Sequence, residues 1–111
     1  MKDDVKRMYI NGEWIEAEGR ATFDVVNPAT REVVAKVANG GVSETRKAVE
    51  AAHAAFREWS ARPAKERGRI LHRIQEGIER ELDEIAKLIV LENGKPFEEA
   101  RKEVALSLIH I

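Results

Sequence analysis

Three histidines, His53, His72 and His110, are the side chains of this sequence best suited to proton transfer or metal binding near neutral pH. They fall in different predicted elements. None has a second His, Asp or Glu at the spacing of a metal motif, so they read as surface or core residues. No cysteine occurs, which excludes disulfides, thiolate metal sites and a cysteine nucleophile within these residues. Carboxylates are plentiful, yet no pair sits in an apolar setting that would raise a pKa for acid–base work. Asn39-Gly40-Gly41 precedes a predicted helix but lacks the longer glycine pattern, set behind a buried strand, that cradles phosphate. It reads as a loop. Lys65, Arg67, Arg69, Arg73 and Arg80 are interleaved with Glu66, Glu76, Glu79 and Glu81, the pattern of a solvated helix face whose ion pairs contribute about 0.2–0.5 kcal/mol each. Trp14 and Trp59 read as packing residues. Residue by residue, the sequence assigns no catalytic and no cofactor-binding group.

The elements that would position such groups are easier to read. Asn11-Gly12 stands between the alternating runs of "MYINGEWIE", the signature of a tight hairpin joining two short strands. A second strand pair is predicted at Phe23 to Val26 and Val33 to Val37, turning through Asn27-Pro28-Ala29-Thr30, where proline fixes φ and removes a ladder donor. No helix is expected before Gly41. Ser43 then suits an N-cap and Glu44 the positive end of a helix, and Val49, Ala52, Phe56 and Trp59 share one face, which predicts a helix from Glu44 to Trp59.

Pro63 can open a further helix, and Ile70, Leu71, Ile74, Ile78, Leu82, Ile85, Leu88 and Ile89 continue at helical spacing. This is one long helix or two, with a break between Glu79 and Asp83 that Asp83 could cap. Asn93-Gly94 and Pro96 end it, and another helix begins over Glu98 to Ala105. Four short strands followed by helices leave the strand edges poorly partnered, so the N-terminal part is expected to lie on another surface of this chain or a different one.

Composition bounds the function. The 111 residues are 43% hydrophobic and 35% charged, enough for one modest globular domain and too polar for a membrane protein. Nineteen basic and 20 acidic residues leave a net charge of −1, so no global field favours nucleic acid or anionic lipid. "MKDDVKRMYI" lacks the apolar segment of a secretory signal. These features suggest a cytoplasmic protein.

Taken together, "YINGEWIEA", "FDVVNPATREVVAKVANG", "AVEAAHAAFREWSARPAKERGRILHRI" and "LENGKPFEEARKEV" resemble, in order and nearly without gaps from Met8 to Ala105, the amino-terminal portion of the aldehyde dehydrogenase superfamily. The flavour is nearest to bacterial or archaeal semialdehyde dehydrogenases. The resemblance implies an α/β fold in which N-terminal hairpins and helices, residues 1–105, form part of a Rossmann-like cofactor domain. For a full-length parent it implies an NAD- or NADP-dependent homo-oligomer that oxidises an aldehyde through a cysteine thiohemiacetal, transfers hydride to the nicotinamide and hydrolyses the thioester. The cysteine, the activating glutamate, the oxyanion asparagine and the cofactor motifs all come later in the family than this segment. The segment itself is then scaffold, inactive alone and without a cofactor of its own.

One minor site carries over from the resemblance: a monovalent cation on the backbone carbonyls of Val25 and Val26 and on Glu92, where unpaired carbonyls gather at a helix end. The alternative there is an ordinary C-cap satisfied by water. Residues 106–111, "LSLIHI", depart from the family pattern and are expected to be a truncation or read-through with nothing to pack against. The competing reading of the whole is a stand-alone helical module that binds a partner through the alanine-rich face near Ala52 and the stripe from Ile70 to Ile89.

Overall fold

A computed structural model describes residues 5–110. It is a mixed α/β structure of five short strands, a 3-10 turn and four helices. The strands are β1 (Val5–Lys6), β2 (Met8–Ile10), β3 (Glu13–Ile15), β4 (Thr22–Val26) and β5 (Val33–Ala38). The helices are α1 (Val42–Ala61), α2 (Ala64–Arg80), α3 (Leu82–Asn93) and α4 (Phe97–Leu108). The chain divides into two compact units, one of residues 1–26 and 33–61, the other of residues 27–32 and 62–111.

In the first unit β2 and β3 form the expected hairpin, with Tyr9 opposite Trp14. Asn11 and Gly12 both take positive φ, 53° and 83°, as the two-residue turn that matches strand twist requires. The rings of Tyr9 and Trp14 pack at 5.1 Å between centroids. The hairpin rests on α1, where Tyr9 and Ile10 border a groove of about 280 Å³ floored by Ala48, Ala51, Ala52 and Ala55. Alanines let the strand approach closely. The chain itself thus supplies part of the surface expected for the hairpin, and Tyr9 and Trp14 stay largely exposed.

β4 and β5 pair antiparallel from Thr22↔Ala38 to Val26↔Val33. The register shifts between Val25 and Val26, so β5 carries one more residue than β4 there, a β-bulge. β1 adds to the other side of β5 in parallel, giving the order β1-β5-β4. Two readings of the sequence need correction here. A single 3-10 turn, Glu18–Arg20, does occur before Gly41, though Gly19 at φ 64° and Arg20 at φ 55° lie in the left-handed region and not in a helix. And α1 begins at Val42, so Ser43 lies inside its first turn and is not the cap.

The second unit settles the choice between one helix and two. α2 ends and α3 starts at Glu81, whose φ and ψ of −101° and 9° leave the helical range. Its N–H is shared between the carbonyls of Gly77 and Ile78. Asp83 does not cap α3. Its carboxylate instead accepts from Nε of Arg101 on α4 at 2.9 Å. α3 and α4 pack through small and medium residues, with Ala86, Ala100, Val104 and Leu108 buried.

Leu108 corrects one part of the expectation for the final apolar run, that it has nothing to pack against. α4 continues to it, and it is buried, whereas Leu106 and Ile109 are exposed; Ile111 lies outside the described residues. Among the described residues the buried apolar side chains are those four and Ala17. No helix of them is long and apolar enough to cross a membrane.

Candidate functional site and family

Two sequence markers, Asn27-Pro28-Ala29-Thr30 and Glu92-Asn93-Gly94-Lys95-Pro96, meet in the second unit. The Asn27–Glu32 turn closes on itself: the Asn27 N–H donates to the Glu32 carbonyl at 2.9 Å, and the Arg31 N–H donates to the Asn27 carbonyl at 2.7 Å. Asn27 is buried, 8% exposed, and its Oδ1 accepts from the N–H of Ala29 at 2.9 Å and of Thr30 at 3.4 Å. Its side chain thereby supplies an acceptor to backbone donors of the turn. Arg31 takes φ 62° to complete the turn.

The turn lies against the end of α3. Gly94 adopts the left-handed conformation, φ 70° and ψ 13°, and its N–H donates to the Val90 carbonyl at 2.8 Å. A Cβ at Gly94 would stand 3.0 Å from Cγ of Pro28 and 3.6 Å from the Ala29 nitrogen. Glycine is required here twice over, for the φ and for the closeness. Pro96 then precedes α4, and Lys95 pairs with Glu103 on that helix.

The residues named for a cation distribute between the two units. Val25 and Val26 end β4 in the first, beside the bulge, and Glu92 is exposed on the last turn of α3 in the second. Among the described residues no group of three or more His, Asp or Glu is placed to hold a metal ion. His53, His72 and His110 are exposed, and His72 stands 3.5 Å from Glu76 on its own helix.

The sequence reading missed the role of one carboxylate. Glu44 is buried, 5% exposed, and accepts from the Gly41 N–H at 2.8 Å and the Glu18 N–H at 3.0 Å. It is the third residue of α1, so it caps the helix by reaching back to Gly41 and pins the 3-10 turn at the same time. The Gly41 N–H, then the N–H of Glu44 itself and that of Glu18, hold the Glu44 carboxyl below the usual carboxylate value, against burial, which acts the other way; Lys47 adds a small further lowering. A glutamate three residues after a glycine at a helix start was the available signal.

Chemically, these arrangements hold backbone in place. Comparison with known proteins identifies what kind of scaffold this is. The model of the "Aldehyde dehydrogenase family" matches residues 14–111, a span that includes residues 106–111. A glutarate-semialdehyde dehydrogenase of Pseudomonas putida is 45% identical over 100 residues, 90% of this chain and 21% of that one. The malonate-semialdehyde dehydrogenase 1 of Shouchella clausii is 47% identical over 96 residues, 86% of this chain and 20% of that one.

Among solved structures, a 3,6-anhydro-L-galactose dehydrogenase in complex with NAP superposes with a TM-score of 0.91 at 31% identity, over 96% of this chain and 22% of that one. The chain thus spans about one fifth of the length of the relatives it matches. The hairpin, the Asn27–Glu32 turn seated on Gly94 and the four helices are those of a known architecture, and the chain belongs to the aldehyde dehydrogenase family.

Proposed function

We propose that this chain is a scaffold segment of an NAD(P)-dependent aldehyde dehydrogenase whose substrate is a semialdehyde, and that it is not catalytic alone. The observation that carries this reading is the 45% identity to a glutarate-semialdehyde dehydrogenase along 90% of this chain but only 21% of that enzyme. The absence of cysteine supports the second half, because a thiohemiacetal needs a thiolate that these 111 residues do not contain. NAD or NADP would be bound by other residues of the parent, as the family resemblance places the cofactor motifs later than this segment. What this chain's own residues do is fix backbone: Glu44 holds the Glu18–Arg20 turn on α1, and Asn27 with Gly94 holds the β4–β5 connection on α3. The reading carries with it a cytoplasmic, homo-oligomeric parent.

The test joins residues 1–111 to the part of the Pseudomonas putida enzyme that lies beyond its matching segment. The joined chain is expected to reduce NAD or NADP when given glutarate semialdehyde, and its sedimentation reports the oligomer. The 111-residue chain alone is expected to show no turnover and no change of melting temperature with either cofactor. Turnover by the short chain, or a clear cofactor-dependent shift in its melting, would overturn the proposal.

A further inference from the structure

The sequence has four asparagines, and three of them, Asn11, Asn39 and Asn93, precede glycine. In that setting the following backbone nitrogen can attack the side-chain amide, because glycine has no Cβ to shield it. The fourth, Asn27, precedes proline, which has no N–H to lose. All three Asn-Gly asparagines are exposed, so access to water does not choose between them. What differs is how the nitrogen and its peptide are held.

At Asn93 the nitrogen is engaged. The Gly94 N–H donates to the Val90 carbonyl at 2.8 Å, and a Cβ at Gly94 would stand 3.0 Å from Cγ of Pro28. That hydrogen bond, worth about 1 kcal/mol, must break and the helix end must shift before a ring can close. At Asn39 the peptide is clamped on both sides. The Asn39 N–H donates to the Ala21 carbonyl at 2.8 Å, and the Gly41 N–H donates to Glu44 at 2.8 Å. Gly40 lies between them against Met8, whose Sδ would stand 2.5 Å from a Cβ there. Asn11 has no such restraint. Among the described residues the Gly12 N–H has no acceptor, and nothing lies within 4 Å of where its Cβ would stand. The turn joins strands of three residues each, a hairpin short enough to open locally at small cost.

We propose that Asn11 is a self-modification site, at which the folded chain deamidates through a succinimide while Asn39 and Asn93 are spared. The Gly12 nitrogen forms a bond to Cγ of Asn11 and gives up its proton, the Cγ–Nδ2 bond breaks, and ammonia leaves. Water then opens the ring at either carbonyl and leaves aspartate or isoaspartate at position 11. Water is the only co-reactant, and no electrons change hands. Either product sets a new carboxylate close to Glu13 in the sequence. Isoaspartate also routes the main chain through Cβ, so the two-residue turn no longer fits and the pairing of Tyr9 with Trp14 loosens. Nothing in this chemistry depends on the family.

Incubating the 111-residue chain in warm, mildly alkaline buffer, and reading digested samples by peptide mass spectrometry, gives a deamidation rate at each asparagine. Asn11 is expected to react about tenfold faster than Asn93, with Asn39 also slower than Asn11. Isoaspartate, counted by enzymatic carboxyl methylation, should accumulate at position 11. In guanidinium chloride the three rates should converge, because only the folded structure separates them. An Asn39 or Asn93 as fast as Asn11 in native buffer would overturn the proposal. So would aspartate alone at position 11, which marks direct hydrolysis without a ring, or a ranking that persists unchanged in denaturant, which assigns it to neighbouring sequence.

Discussion

Replacing Gly94 by alanine tests the structure at the point where the two sequence markers meet. The substitution has two separable costs. At φ 70° an L side chain occupies the left-handed region, a penalty of about 1 kcal/mol. The new Cβ also sits 3.0 Å from Cγ of Pro28, closer than the ~3.5–4.0 Å of an unstrained carbon pair, and relieving that overlap adds about 1 kcal/mol. Gly12 is the control. Its φ is 83°, but nothing lies within 4 Å of the place a Cβ would occupy there, so Gly12→Ala should cost about 1 kcal/mol through backbone alone.

Native-state hydrogen exchange reads the two units separately. The amides of Ala86, Ala100 and Val104 should exchange about 30-fold faster in Gly94→Ala, the equivalent of roughly 2 kcal/mol, and should not respond to Gly12→Ala. The contact with Pro28 is then isolated by a double-mutant cycle with Pro28→Ala, for which a coupling of about 1 kcal/mol is expected. A coupling indistinguishable from zero would refute the claim that the turn is seated on the helix end, and a Gly94→Ala no worse than Gly94→Asn, which carries the same Cβ but tolerates the left-handed region, would refute the backbone part of the cost.

Further outcomes follow from the other fixed points. Since the folded state holds the Glu44 carboxyl below its unfolded value, its contribution should be fully present above the unfolded carboxylate pKa and disappear as pH falls through the folded one. Acid melting curves of Glu44→Gln should therefore be flatter than those of the parent chain, with the Glu18–Arg20 turn exchanging early. Asn27→Ala strips the acceptor from the Ala29 and Thr30 N–H groups and should cost about 1–3 kcal/mol in urea unfolding, whereas Asn27→Asp keeps an acceptor and should cost less. Asp83→Asn breaks an exposed pair with Arg101 and should change stability by no more than about 1 kcal/mol, an effect that disappears in high salt.

What could be read in advance was local. Asn11-Gly12 dictates its hairpin, and Gly94 with Pro96 dictates a helix end, because in each case a single backbone conformation selects the residue. The break at Glu81 was visible as an interruption of spacing. Non-local facts were not legible. β1 is a two-residue strand, too short to leave a pattern, and its parallel pairing with β5 depends on chain folded in between. Glu44 looked like a dipole residue because its second donor, the Glu18 N–H, lies 26 residues away. Asp83 looked like a cap because Arg101 on α4 could not be placed beside it. The apolar side chains of α1 were correctly set on a helix, but periodicity cannot say that the hairpin would meet Ala48, Ala51, Ala52 and Ala55.

The Asn27–Glu32 turn has a consequence for how the protein meets a protease. Hairpin tips are ordinarily where chains are nicked and where insertions accumulate, because their backbone is wet and free to bend into a cleft. Asn11-Gly12 is such a tip, exposed on both residues. The tip between β4 and β5 is exposed from Pro28 to Glu32 but held in place: Asn27 is buried, its side chain holds two amides, and Pro28 stands close to Gly94. Brief digestion should therefore cut the first hairpin and spare the second, and an added residue should be tolerated after Asn11 long before one is tolerated after Pro28.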